Sequence, residues 1–212
     1  MNHSVYSIIR DRILYLEYEP GQILNEKILA QEFEISRTPV RDVLNRLEWD
    51  QLVRIIPRTG SMVTEIEFSN IMNVFQVRFE LADMGGRLAA EQFTPKHIST
   101  LERLRHDCDA LLDNKDRKTL SGIDRAFRNV ILEAAGNPVL AEVSDRLYAQ
   151  TFRLWYFVMD KGGWNEEVLA VKGELEGLLK IISNGTALEL GKNRKAWLVK
   201  HLERLRDKFL RL

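Results

Sequence analysis

Residues 20–63 read PGQILNEKILAQEFEISRTPVRDVLNRLEWDQLVRIIPRTGSMV, and their punctuation is that of a helix, a turn, a second helix and a hairpin. Asn25 is placed to cap a short helix over 26–33, whose apolar Ile28, Leu29 and Phe33 share a face. Glu34 and Ile35 make a tight turn, and Ser36 caps a second helix running to about Trp49. Pro39 falls in its first turn, where a missing N–H removes no bond. Val40, Val43, Leu44 and Leu47 repeat at the 3/4 spacing of a buried stripe, which leaves Arg37, Thr38, Arg41 and Asn45 on the opposite face. Strands over 52–56 and 61–64 follow, joined by Pro57-Arg58-Thr59-Gly60, a basic tip ending in glycine. The whole is a winged helix-turn-helix, with its second helix shaped for a DNA major groove.

Outward from this stretch, residues 4–16 place Val5, Ile8, Ile9, Ile13 and Leu16 at helical spacing, with Arg10 and Arg12 on the wet side. Those two arginines read either as a DNA-backbone contact or as a solvated face. Residues 65–68 are the expected hinge, dividing a DNA-binding domain (1–66) from a second domain (67–212). From Asn70 onward only helical periodicity is present, over about 69–92, 95–112, 120–135, 138–161, 164–183 and 187–210. Thr94-Pro95, Gly136-Asn137-Pro138 and Asn184-Gly185 mark the breaks. The expected fold is therefore mainly α, an N-terminal winged helix-turn-helix followed by an all-α antiparallel bundle able to hold a small molecule or a dimer interface.

Composition narrows the function. The chain has 212 residues, with 31 Lys and Arg against 31 Asp and Glu, so no global basic signal marks a nucleic-acid partner. Basic residues gather instead on the second helix and the hairpin (Arg37, Arg41, Arg46, Arg54, Arg58), while acids surround them at Glu17, Glu19, Glu26, Glu32 and Glu34. Phosphate attraction is then local and modest per subunit, which favours a homodimer on two half-sites of pseudo-palindromic double-stranded DNA. The single Cys108 excludes an internal disulfide and suits a reducing cytoplasm. No apolar run approaches ~20 residues and the first residues, MNHSVYSIIRDR, lack a signal-peptide core, so neither membrane insertion nor export is expected.

The run Pro20-Gly21, Leu24-Asn25-Glu26, Leu29-Ala30, Phe33, Ser36-Arg37-Thr38-Pro39-Val40-Arg41, Leu44, Leu47-Glu48 resembles, without a gap, the GntR family of bacterial transcription regulators. One departure is Gln51, where that family usually carries glycine after the recognition helix; without glycine a left-handed residue is strained, so a different helix ending is expected. A winged domain followed by an α-bundle is similar to the FadR-type branch with its FCD effector domain. Val77-Arg78, Leu81, Arg87-Leu88-Ala89-Ala90, Asp124-Arg125-Ala126-Phe127, Ala134-Ala135-Gly136-Asn137 and His201-Leu202 carry that second resemblance, with Ala82 where glutamate is usual. It implies a DNA-binding regulator, a repressor by family habit, and not an enzyme. No nucleophile–base arrangement, HExxH motif or intact histidine cluster points to a hydrolytic centre.

On DNA, Arg37 and Arg41, one turn apart, are placed for guanine edges. Ser36 and Thr38 suit phosphates or the helix N-terminus, Asn45 lies on the same face, and Lys27, Arg58 and Gly60 fall where the backbone or the adjacent minor groove would be held. In the bundle, the FCD resemblance implies a divalent metal held by an Asp, a His one turn later and two further histidines. Arg128 stands where the first His belongs, and the middle one falls on Leu179 or Leu175, so Asp124 and His201 remain alone and no metal or other cofactor is expected. A guanidinium in that place still offers positive charge and a planar fork to a carboxylate. The expected effector site is thus a small organic acid on Arg128, oriented by Asp124, with Arg78 and His201 adding donors. Two alternatives stay open: a bundle that only dimerises, and a metal-dependent sensor.

Phe152, Trp155 and Tyr156 share one helix face and read as cavity lining or as core, and Arg153 beside them as facing a pocket or solvent. Trp164 and Trp197 read as packing, and Cys108, between Asp107 and Asp109, carries no chemistry.

Overall fold

The computed structural model describes residues 2–210, with side chains from Ser4 onward. Its elements in order are α1 (Asn2–Leu14), β1 (Ile23–Leu24), α2 (Glu26–Glu32), α3 (Arg37–Trp49), β2 (Val53–Ile56), β3 (Gly60–Val63), α4 (Phe68–Ala89), α5 (Pro95–Asp113), α6 (Arg117–Ala135), α7 (Pro138–Val158), α8 (Trp164–Asn184) and α9 (Ala187–Phe209). Two compact units result: the chain through Met72 with Arg146–Phe157, and Asn73–Asp145 with the chain from Val158 onward. Among the described residues no helix is long and apolar enough to cross a membrane.

The first unit is built on the stripe of α3. Val40, Val43, Leu44 and Leu47 are buried, and with Ile9, Ile13, Leu52 and Val63 they form a core. Asn25 caps α2 as its sequence implies, its side chain accepting from the N–H groups of Lys27 and Ile28. Ser36 occupies the cap position of α3 but makes no side-chain bond there, so the first amides of that helix are not capped from within. Ile28 departs from expectation and is 63% exposed. In this seven-residue helix the inward positions are Leu29 and Ala30, and Ile28 points away from both. The wing is a three-stranded antiparallel sheet of order β1-β3-β2, in which Ile23 pairs with Met62 and Val53 with Val63. At its tip Arg58 and Gly60 take positive φ, and a Cβ on Gly60 would stand 2.9 Å from the Leu24 carbonyl, so the turn needs glycine to reach β1. Phe152, Trp155 and Tyr156 resolve as core: Phe152 and Tyr156 meet the Tyr15 ring edge-on at 5.6 and 5.2 Å, and Trp155 meets Phe152 at 5.9 Å.

Three helix ends in this unit follow one pattern. Leu16, Glu34 and Gln51 each adopt left-handed φ (59°, 54° and 62°), and the next N–H reaches back to Arg12, Ala30 and Leu47 respectively. These are Schellman-type stops that normally recruit glycine. Gln51 therefore ends α3 in the conformation a glycine would adopt, contrary to the different ending expected from its side chain. The Glu48 and Leu47 carbonyls accept from the N–H groups of Gln51 and Leu52, both at 2.9 Å, and over-determine the strained residue.

The second unit is helical throughout. Here α5 packs on α6 and α8, and α9 on α8. Leu101, Leu104, Leu120, Phe127, Leu175, Leu178 and Leu205 fill its core. Thr94 and His97 form a capping box on α5, and Trp164 donates its indole N–H to the Leu111 carbonyl at 2.6 Å. Gly173 and Gly177, one turn apart on α8, make room for the Trp197 ring, which a Cβ would meet at 3.2 and 3.1 Å. Both tryptophans are packing residues, as read.

Candidate DNA-binding surface and effector cavity

Because the buried stripe of α3 fixes the helix's orientation, Arg37, Thr38, Arg41 and Asn45 are exposed on the opposite side, with Ser36 at the helix start. Lys27 and Arg58 are exposed at the start of α2 and on the wing tip. Arg41 is not free in this state. Its Nε and NH2 groups donate to the two carboxylate oxygens of Glu26 at 3.2 and 2.9 Å, a bidentate fork between α3 and α2. The hydrogen bond from Arg41 holds the Glu26 carboxyl below its usual range. Arg12 is committed to internal contacts: it donates to the Tyr18 hydroxyl at 2.7 Å, pairs with Glu32 at 2.5 Å and lies over the Phe33 ring. Arg46 stacks 3.9 Å over Tyr6, whose hydroxyl donates to Asp50, so this arginine ties α3 to α1.

In the bundle, α4, α6, α7 and α9 enclose a cavity of about 60 Å³ whose wall carries three guanidiniums, those of Arg78, Arg128 and Arg194. Arg128 is largely buried, and its NH2 donates to Asp145 on α7 at 2.6 Å. Arg194 pairs with Glu174 and lies 4.6 Å over the Phe127 ring, while Arg78 lies 5.0 Å over Phe75. Of the four residues read as effector-binding, Arg78 and Arg128 reach this wall. Asp124 is not among the residues of this wall; its charge, after burial, helps to raise the Glu174 carboxyl against the pull of Arg194. His201 lies beside Phe75 and Arg204, and burial, followed by the charges of Arg204, Arg78 and Lys208, holds its imidazole well below the usual range. Among the described residues no three His, Cys, Asp or Glu side chains are grouped as metal ligands; the first absent histidine is replaced by Arg128, and both positions open to the middle one, Leu179 or Leu175, are apolar.

The profile of bacterial regulatory proteins of the gntR family matches residues 2–63, and that of the FCD domain residues 73–176. The uncharacterised HTH-type transcriptional regulator YieP of Escherichia coli (strain K12) is 30% identical over 161 residues, which span 66% of this chain and 70% of that protein. The chain belongs to the GntR family. The HTH-type transcriptional repressor RspR of the same organism is 26% identical over 160 residues, 76% of this chain and 70% of its own. A solved structure of E. coli McbR/YncC has a TM-score of 0.86 at 20% identity and 98% coverage of both chains, a likeness of fold.

As a GntR-family transcription regulator with an FCD domain, the molecule carries features that its sequence does not advertise. Arg194 joins the bundle cavity wall, and Asp145 pairs with Arg128 on it, from helices whose local sequence gives no sign of either. Glu26 was visible only as part of the Leu24-Asn25-Glu26 motif, with no hint that it grips Arg41. The remaining described histidines are structural or exposed: the His97 Nδ1 accepts from the Thr94 N–H at 3.2 Å, and His106 lies 3.6 Å from Asp109.

Proposed function

We propose that this GntR-family regulator binds a pseudo-palindromic operator as a cytoplasmic homodimer, represses transcription, and responds to a small organic acid held without metal in its bundle cavity. The observation that carries the effector reading is the convergence of Arg78, Arg128 and Arg194 on one small cavity. Asp145 pairs with Arg128 and Glu174 with Arg194, so two of these side chains are held in place on the wall, where a guanidinium fork suits the oxygens of an anion. A volume of about 60 Å³ holds on the order of four waters, so the acid is a compact one of a few heavy atoms. Arg37 and Arg41 read guanine edges, Asn45 lies beside them, and Ser36, Thr38, Lys27, Arg58 and the Gly60 turn hold the backbone.

Thermal unfolding of the full chain with a panel of small carboxylates and sugar acids, each with EDTA and with added Zn²⁺ or Ni²⁺, tests this reading. A ligand of the folded state raises the melting temperature by mass action. One acid should do so unaffected by EDTA, and Arg128→Ala should abolish that rise and the ligand's effect on DNA binding while apo DNA binding persists. A rise that requires metal would restore the metal-dependent sensor. A second reading, that the bundle only dimerises, draws on the existing Arg128–Asp145 pair and on the small cavity; it predicts no rise with any acid.

A further inference from the structure

The first unit contains a larger cavity, about 390 Å³, with every wall residue in that unit. This volume lies within the range of small-ligand pockets, roughly 300–1,000 Å³. Thr64 and Glu65, just after β3, form part of its wall, and Gln150 and Arg153 on α7 form another part. Arg153 is 3% exposed. Its NH1 donates to the Thr64 hydroxyl at 2.9 Å and its NH2 to the Thr64 carbonyl, but its Nε is buried without an acceptor. Among the described residues no carboxylate reaches it at ion-pair distance; Glu65 acts on it only through its field. Gln150, one turn earlier and 8% exposed, has a buried Oε1 without a donor. Buried charges are normally paired and buried amides bonded, so this wall lacks both an anion and a donor.

Opposing charge on the same cavity narrows the occupant. Glu48, Glu65 and Glu67 also line it, and among the described residues only Glu48 has an oxygen engaged, by the Ile55 N–H at 2.7 Å. A plain dianion would meet these carboxylates, and a plain amine would meet Arg153. A molecule bearing one carboxylate and one ammonium satisfies both walls. We propose that this cavity is a second small-molecule site, separate from the bundle cavity, that takes a zwitterionic amino acid, its carboxylate on Arg153 and its ammonium toward Glu65, Glu67 and the Gln150 carbonyl oxygen. Burial also draws the Arg153 pKa down to about 10, a cost that a bound carboxylate relieves. The Thr64 hydroxyl that accepts from Arg153 donates to the Gln51 carbonyl at 2.9 Å, so occupancy is felt at the end of α3.

Calorimetric titration of the full chain with each of the twenty protein amino acids, and with the deaminated and decarboxylated analogue of each binder, tests the proposal. At least one amino acid should bind, and both its analogues at least ten-fold more weakly. Gln150→Leu and Arg153→Met should each weaken binding ten-fold or more, while Arg128→Ala leaves it unchanged. If Arg153→Met does not fold, Gln150→Leu and the surface change Glu67→Gln carry the comparison. Binding by no amino acid, equal binding of either analogue, retention of affinity in Gln150→Leu, or its loss in Arg128→Ala would each overturn the proposal. The last of these would place the ligand in the bundle cavity.

Discussion

Arg41 illustrates how much one side chain's partner decides. Exposed on the outer face of α3, it is gripped by Glu26 rather than waving in solvent, so its guanidinium is already oriented before DNA arrives. Arg41→Ala should cost ~1–3 kcal/mol of discrimination between operator and random DNA, whereas Lys27→Ala should weaken both alike and flatten the salt slope by about one. Parallel binding isotherms on a selected operator and on random duplex, over a salt series, measure both; equal losses on the two DNAs for Arg41→Ala would remove its reading role. Glu26→Gln weakens the fork, leaving one neutral amide oxygen as acceptor, and deletes a negative charge near the phosphates. It should raise affinity for random DNA more than for the operator, so the ratio of the two falls.

At the scale of elements, the three left-handed helix stops in the first unit mark where sequence reasoning met its limit. Gln51→Gly keeps the hydrogen bonds of that stop and removes the Cβ conflict, so it should stabilise the chain by about 1 kcal/mol, read as a higher denaturation midpoint in urea. A lower midpoint would mean that the Gln51 side chain contributes more than its backbone costs. Helices were legible because their signals are local: Asn25 before α2, Thr94-Pro95 before α5 and Gly136-Asn137-Pro138 between α6 and α7 all stand at the observed ends. Strand β1 was not legible, since Ile23–Leu24 is too short to alternate and its partner β3 lies far along the chain. Part of the bundle cavity was likewise hidden. Arg78 and Arg128 were found through motif positions, but Arg194 on the wall and Asp145 as the partner of Arg128 join them only through packing of separate helices, which no local pattern encodes.

For the whole molecule, the open question of assembly has a physical handle on α4. Val77, Met84 and Leu88 are 49%, 40% and 40% exposed, and their spacing of seven and four residues aligns them on one helix face. An apolar stripe of this kind suits the interface of the proposed homodimer. Met84→Glu should shift the chain from dimer to monomer in light scattering and cut operator affinity at least ten-fold, since each half-site then binds alone. An unchanged mass would move the interface elsewhere.

One further property follows from the chain's only thiol. Cys108 is buried on α5 with its S–H turned to the Leu104 carbonyl, and burial, then the Asp109 charge, pushes its pKa up to about 11. Near pH 8 almost none of it is thiolate, so maleimide should label the native protein slowly and the urea-unfolded chain rapidly. A cysteine placed on the wing or on α3 would then be the sole reactive handle, and spin or dye labels there could report the distance between two reading heads without removal of a native sulfhydryl.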